Sequence, residues 1–426
     1  MNILYINPSY KKRNASRFYP FAGNPPSLTL KQLAAITPKK DEIEIVDERF
    51  NDIKFHRDYD LICITSLTYN STRAYEIAEK FKKMGKKVVI GGYHSSLLSN
   101  EAKKYCDSVL IGEAEYTLPK LLQDVENKRL KPFYKQNQTV KPADIPEANH
   151  EYGTYNNFCE PIQAARGCPM KCNFCAQHII EGNTFRGRPI NDVVNEIKKI
   201  KQKFVYFTDA SLNTKNEYYK ELFKNMKNLD KKCMGMASIR NIKNDDEFLK
   251  YASEAGIISL YFGIESLPRK GIKNLSKSLT DIEEYKKIFS KVKDYGINTY
   301  GFLIFGFDSH TVETFNYTYQ AISEMKLDGA MFLILTPFPG TDIFEKLDGE
   351  NRIINKEWKE YEETKLNIKP KNMNNKELIN GIRDTANRYY SFPNIIKRSI
   401  RNIKSPLNMI FQINNNIEMK IFYKYF

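Results

Sequence analysis

Apolar residues along this chain come alternately in short continuous runs and in longer stretches of helical spacing. The first run, Asn2 to Asn7, stops at Pro8 and predicts a buried strand that ends in a loop. A segment rich in Pro, Gly and Ser follows, then a helical pattern from Ser27 to Ile36 and a strand from Glu42 to Asp47. Further strands are predicted at Asp60 to Ser66, Lys87 to Gly92 and Ser108 to Gly112, with helices at Arg73 to Met84, Glu101 to Tyr105 and Thr117 to Asn127. This β-loop-α repetition predicts an α/β fold: a doubly wound, Rossmann-like parallel sheet over residues 1–130.

Residues 131–160, marked by Pro132, Pro142 and Pro146, predict a linker. The alternation then resumes. Strands are expected at Pro161 to Ala165, Lys203 to Thr208, Lys232 to Arg240, Ile258 to Gly263, Asn298 to Gly306 and Gly329 to Leu335. Helices are expected at Asn191 to Lys201, after Thr208, at Asp245 to Ala255, Thr280 to Asp294 and Val312 to Met325. Six βα units predict a partial (β/α)6 TIM-type barrel over residues 161–340, active at the carboxyl ends of its strands. Residues 341–426 are expected to form a helical C-terminal extension.

Composition narrows this picture. A chain of 426 residues is long enough for two to three cored domains, and its 41% apolar and 13% aromatic content fits a folded protein. No apolar run reaches membrane-span length and the first residues lack a signal-peptide pattern, so a cytoplasmic location is expected. The net charge of +15 permits an anionic partner, but Lys and Asn are spread evenly and nucleic acid binding is not expected. The stretch Ile395 to Phe426 is basic and aromatic. It would lie on a membrane surface, cover a lipid-like substrate, or form a solvated helix that packs one apolar face on the barrel.

Of seven cysteines, three crowd into one loop, Cys168-x3-Cys172-x2-Cys175; Cys63, Cys106, Cys159 and Cys233 are scattered, which does not make a secreted disulfide framework. Three thiolates on a tight loop suit three irons of a [4Fe-4S] cluster and leave the fourth iron open. The rival is structural zinc with His178 or Cys159 as fourth ligand, but such sites favour two separated pairs.

The cysteine loop, with Phe174 before its third thiol and its place after the first barrel strand, closely resembles that of the radical SAM superfamily. The resemblance implies that S-adenosylmethionine binds the open iron and that reductive cleavage gives a 5′-deoxyadenosyl radical. It implies binding roles near that cofactor for Phe174, for Asp209 in the segment Phe207 to Asn213, for Ser238 and Arg240 on one strand face, and for Glu265 past a strand end. Gly301 and Gly306 resemble the glycine-containing strand that borders the adenine. An ion pair for Arg240, helix capping for Glu265 and plain packing for the glycines are the alternatives.

The first half resembles the cobalamin-binding domain found in front of many radical SAM enzymes, through Asn7, Pro8, the segment Asn24 to Ala35, Ser66, Leu67, Gly91, Gly92, His94, Gly112 and Glu113. The Asp-x-His-x-x-Gly signature of a cobalt-ligating histidine is missing, so His94 is the one histidine in the right neighbourhood but has no motif partners. A flavodoxin-like domain without ligand is the alternative. The region from Trp358 to Ile400 resembles the extension of class B, hopanoid-methylase-type proteins. Together these imply methylation of an unactivated carbon in a small-molecule or lipid-like substrate, with methylcobalamin as methyl donor and an electron donor such as flavodoxin or ferredoxin. A radical cyclase or rearrangement enzyme, or a radical RNA-modification protein, are the other readings. No substrate acid or base, and no oligomeric state, is predicted.

Overall fold

Two six-stranded sheets, each with every strand parallel, organise the protein in its computed structural model. The structure describes residues 1–10, 25–153, 155, 157–267, 282–402, 406–424 and 426. Most of the Pro/Gly/Ser-rich segment after Pro8, Asn24 and the start of the helix expected from Thr280 lie outside the described residues.

The first sheet contains β1 (Asn2–Asn7), β2 (Glu42–Asp47), β3 (Leu61–Thr65), β4 (Lys87–Gly91), β5 (Ser108–Ile111) and β6 (Phe133–Lys135), in the order β2-β1-β3-β4-β5-β6. The pleat sends alternate residues to opposite faces. Leu4, Ile6, Ile62, Ile64, Val88 and Ile90 pack on one face. Ile3, Tyr5, Leu61, Cys63, Val89 and Leu110 pack on the other. Burial on both faces is why these strands read as continuous apolar runs. The stretch expected as linker begins with β6, a Phe-Tyr-Lys segment paired to β5 that is too short to show a pattern in sequence.

The second sheet runs β14-β13-β12-β11-β10-β7, consecutive except for a small ribbon. Its strands are β7 (Cys159–Ile162), β10 (Phe204–Phe207), β11 (Lys232–Ala237), β12 (Ile257–Glu265), β13 (Asn298–Phe305) and β14 (Gly329–Ile334). The ribbon pairs β8 (Ala165–Arg166) antiparallel with β9 (Arg186–Gly187), and the cysteine loop lies between its two strands. Its core includes Ile162, Val205, Phe207, Leu260, Phe262, Leu303 and Phe332.

The edge strand β14 has backbone groups that need partners. Tyrosines of the C-terminal helices supply them. The Tyr390 hydroxyl accepts from Ala330 N (2.8 Å) and donates to Ala330 O (2.5 Å). Tyr423 treats Phe332 the same way, at 2.7 and 2.9 Å. The helices concerned span Asn375–Tyr389, Phe392–Ile400 and Pro406–Lys424. Among the described residues, no helix is long and apolar enough to cross a membrane.

Candidate active site

The cysteine loop leaves β8 through Gly167, whose φ of +80° is left-handed and whose Cβ, if present, would lie 2.1 Å from Thr184 O. Only glycine fits there. Cys168 N donates to Gly182 O and Cys175 N to Cys172 O, both at 3.1 Å, so the loop folds back on itself. Cys168, Cys172 and Cys175 form no disulfide and are partly exposed, whereas the other four cysteines are buried. Burial pushes the Cys175 thiol up, and the nearby Cys172, Cys168 and Glu265 add to that shift. Among the described residues, no three His, Cys, Asp or Glu side chains converge as a single ion would need. Three neighbouring thiols on one loop instead suit a cluster whose ligands sit at separate corners.

Two cavities open at the carboxyl ends of the sheets. One, of about 580 Å³, lies over the first sheet. The other, of about 600 Å³, is lined by Phe174 and Cys175 and by the second sheet. Arg49, Leu67, Tyr69, Tyr93, Gln177 and Tyr206 line both, so the cavities share a wall. Period-two spacing builds the second cavity: Tyr261, Gly263 and Glu265 from β12, Phe302 and Ile304 from β13, Met331 and Leu333 from β14.

A hydrogen-bond chain ties the cysteine loop to the first sheet. Tyr93 donates to Glu181 Oε1 (2.8 Å), and Glu181 Oε2 accepts from Gly167 N (3.1 Å) and Gln177 (3.2 Å). Beside it, Glu113 accepts from Arg166 and Arg186, each at 2.9 Å to Oε1, and from Val140 N. Burial alone would raise the Glu113 carboxyl, but the two guanidiniums hold it below its ordinary value.

The residues singled out from sequence separate into two groups. Asn7, Leu67, Gly91, Gly92, Gly112 and Glu113 line the first cavity; Phe174, Cys175 and Glu265 line the second, with Leu67. Pro25, Ser27, Thr29, Gln32 and Leu33 of the segment Asn24 to Ala35 also line the first cavity, whereas Pro8, Ser66, His94, Asp209, Ser238, Arg240, Gly301 and Gly306 line neither. Pro8 O accepts from Asn70, and Ser66 is spent on backbone bonds to Gly91 and His94. His94 is fully buried, with its nitrogens 3.4 Å from Thr68 Oγ1 and Glu101 Oε1, and it lines neither cavity. Asp209 is buried, and its oxygens accept from Ala164 N (2.8 Å) and Ala165 N (3.0 Å), just past β7, and from Tyr219 (2.7 Å), which ties these segments together. Ser238 and Arg240 do not share a strand face, because β11 ends at Ala237 and both begin the short helix Ile239–Ile242. Gly301 and Gly306 border packed side chains instead: a Cβ on Gly301 would lie 2.7 Å from Ile264, and one on Gly306 3.1 Å from Ile368. Gly92 and Gly112 line the cavity, but their missing Cβ atoms make room for Ser66 and Gln136 rather than for a ligand.

Glu265 is the one cavity-lining residue among the described non-glycine residues with positive φ, at +62°, and the β12–β13 register shifts just before it. The bulge turns its side chain toward the cavity. The sequence pattern gave no sign of Glu363, in a segment without a motif. Its exposed area faces the second cavity while protein surrounds it, and burial, reinforced by Glu265, pushes its carboxyl up to about 7. The aromatic wall of Tyr206 and Tyr261 was also hidden, because it consists of ordinary core-type residues.

Comparison with known proteins agrees with this geometry. The family model described as the radical SAM superfamily matches residues 162–322. The bacteriochlorophyllide d C-12(1)-methyltransferase of Chlorobaculum tepidum is 29% identical over 91% of this chain and 87% of its own. The cobalamin-dependent S-adenosylmethionine radical enzyme OxsB superposes with a TM-score of 0.69 at 13% identity, covering 96% of this chain and 71% of that one. The radical S-adenosylmethionine methyltransferase TsrM of Kitasatospora setae, solved with cobalamin and a [4Fe-4S] cluster, superposes with a TM-score of 0.67 at 16% identity, covering 83% and 79%. These two show a shared fold. Residues 162–322 of this chain are a radical SAM domain.

Proposed function

We propose that this enzyme transfers a methyl group to an unactivated carbon of a small, largely apolar substrate, using a [4Fe-4S] cluster, S-adenosylmethionine and a cobalamin. The observation that carries this reading is the pair of cavities with a common wall, one over each sheet. We read the first sheet as a Rossmann-like corrinoid domain (residues 1–130, with β6 added) and the second as a partial barrel. When bound, the cluster with S-adenosylmethionine supplies an organic radical, and the corrinoid supplies a methyl group.

The chain's own groups have distinct tasks in this reading. Cys168, Cys172 and Cys175 hold three corners of the cluster. Glu265 offers a carboxylate acceptor beside Cys175, suited to the hydroxyl groups of a ribose. Phe174, Tyr261 and Phe302 line an apolar wall that excludes water and favours an apolar substrate. The Tyr93–Glu181–Gly167 chain keeps the cysteine loop in register with the first sheet. Among the described residues, no histidine lines either cavity. Bringing two cavities edge to edge serves proximity, which by itself accounts for much of the barrier in reactions between two bound groups. The Chlorobaculum relative, named a methyltransferase of bacteriochlorophyllide d, supports methyl transfer to a small molecule. A flavodoxin or ferredoxin would deliver the electron.

Anaerobic purification with cobalamin supplied tests this. Retained cobalt with a corrinoid visible spectrum is expected, whereas stoichiometric iron without corrinoid would overturn methyl transfer. Cys172→Ala should abolish 5′-deoxyadenosine formation under reduction. Substrate conversion without the mass gain of one CH2 unit would favour the cyclase or rearrangement reading instead.

A further inference from the structure

The last two helices are built inside out. In Pro406–Lys424 the buried positions include Asn408, Gln412, Asn415 and Asn416, while Leu407, Ile410, Ile417 and Ile421 are exposed. The buried amides are committed to the protein: Asn408 donates to Gly296 O (2.5 Å), Asn415 to Tyr300 (3.2 Å), and Asn416 to Asp328 O (2.9 Å). Arg398 adds its guanidinium to Asn416 Oδ1 at 2.6 Å. These bonds fix which side of the helix faces inward, so its apolar side must face outward. The preceding helix, Phe392–Ile400, follows suit. Phe392, Ile396 and Ile400, each one turn apart, are 60–61% exposed.

The two apolar faces adjoin. The Lys420 ammonium sits 4.7 Å over the Phe392 ring, which places the end of one helix beside the start of the other. Basic residues border them: Lys397, Arg401, Lys420 and Lys424 are all exposed or half-buried, against a single acid, Glu418, on the same two helices. A folded enzyme that spends buried hydrogen bonds to hold seven large apolar side chains in water has a surface that is covered in use.

From this geometry we propose that the face formed by Phe392–Ile400 and Pro406–Lys424 docks on an anionic lipid surface. An apolar stripe rimmed by Lys and Arg is the pattern of a helix that lies in the membrane interface, with the cations at headgroup level. Charge decides against a second copy of the chain: a two-fold contact would set one basic rim against another, whereas anionic headgroups neutralise both. No described helix crosses a membrane, so the contact is peripheral. The polar anchors Asn298 and Asp328 lie at the starts of β13 and β14, so the docking helix begins at the end of the sheet remote from the cysteine loop. The proposal is independent of the reaction catalysed.

Sedimentation of the full-length protein with vesicles of phosphatidylcholine, with and without phosphatidylglycerol, tests it. Wild type should bind the anionic vesicles at least roughly ten-fold more tightly than the neutral ones, and less at high salt. The double variant I396E/I417E should lose binding by a similar factor or more. K397E/K420E keeps the apolar face and should lose only the preference for anionic lipid. Circular dichroism and the melting temperature establish that each variant is folded. If I396E/I417E does not fold, the comparison of K397E/K420E with wild type decides alone. Absence of binding to anionic vesicles by wild type would overturn the proposal, as would unchanged binding by folded I396E/I417E. Concentration-dependent dimerisation without vesicle binding would assign the face to a second copy and overturn it too.

Discussion

His310 joins the ends of two neighbouring strands: Gly306 N donates to its Nδ1 (3.3 Å), and its Nε2 meets Ser266 Oγ at 2.7 Å. The Nδ1 acceptor role assigns the proton to Nε2, so the neutral ring satisfies both partners. Burial pushes its pKa down to about 4 from the ordinary 6.5. Below pH 6.5 the unfolded chain takes up a proton that the folded one refuses, so stability falls as pH drops from 6.5 toward 4. The loss between pH 7 and pH 5 should be about 2 kcal/mol from this residue. Urea unfolding at the two pH values would show it, and His310→Gln should flatten the difference. Residues of this kind were invisible in sequence, since a lone histidine carries no pattern. Glu265 stood out because it follows the expected strand Ile258 to Gly263, which the structure extends to include it, whereas Glu363 did not, because only the fold brings its segment over the second cavity.

Strands were the most legible elements, because burial on both faces writes them as unbroken apolar runs. Their ends were less so. The run from Lys232 to Arg240 reads as one strand, yet Asn213 intercepts it: its Oδ1 accepts from Ser238 N and its Nδ2 donates to Ser238 O, both at 2.7 Å. A side chain thus replaces the next strand's backbone, and the chain turns into a short helix. Close packing between β12 and β13 makes Gly301 a sensitive point. Gly301→Ala should cost about 1–3 kcal/mol by overpacking against Ile264 and Leu327, read as a lower urea midpoint at unchanged slope. The inverted burial of Pro406–Lys424 is likewise an element-level fact, since helical spacing shows which residues share a face but not which face turns inward.

Across the molecule, the joint between the two sheets is polar and buried. Glu113, at the end of the first sheet, faces Arg166 and Arg186 on the ribbon that carries the cysteine loop. Farther down, Lys31 pairs with Glu160, which His150 links to Glu196 and Arg188. Removing one partner of such a buried group leaves charge without compensation. Glu113→Gln should therefore cost about 3–5 kcal/mol and lower the melting temperature. Hydrogen exchange should show faster opening around Gly167 and Cys168. By itself the sequence determined the βα alternation and the cysteine loop, because both depend on local spacing and on the chemistry of thiolates. It could not determine where Asp209, Arg240, Gly301 and Gly306 point, since strand ends and close contacts are set by neighbours distant in the chain. Only the tertiary structure joined the two cavities at a common wall and turned an apolar helix face outward, because both arise where segments hundreds of residues apart compete for the same buried space.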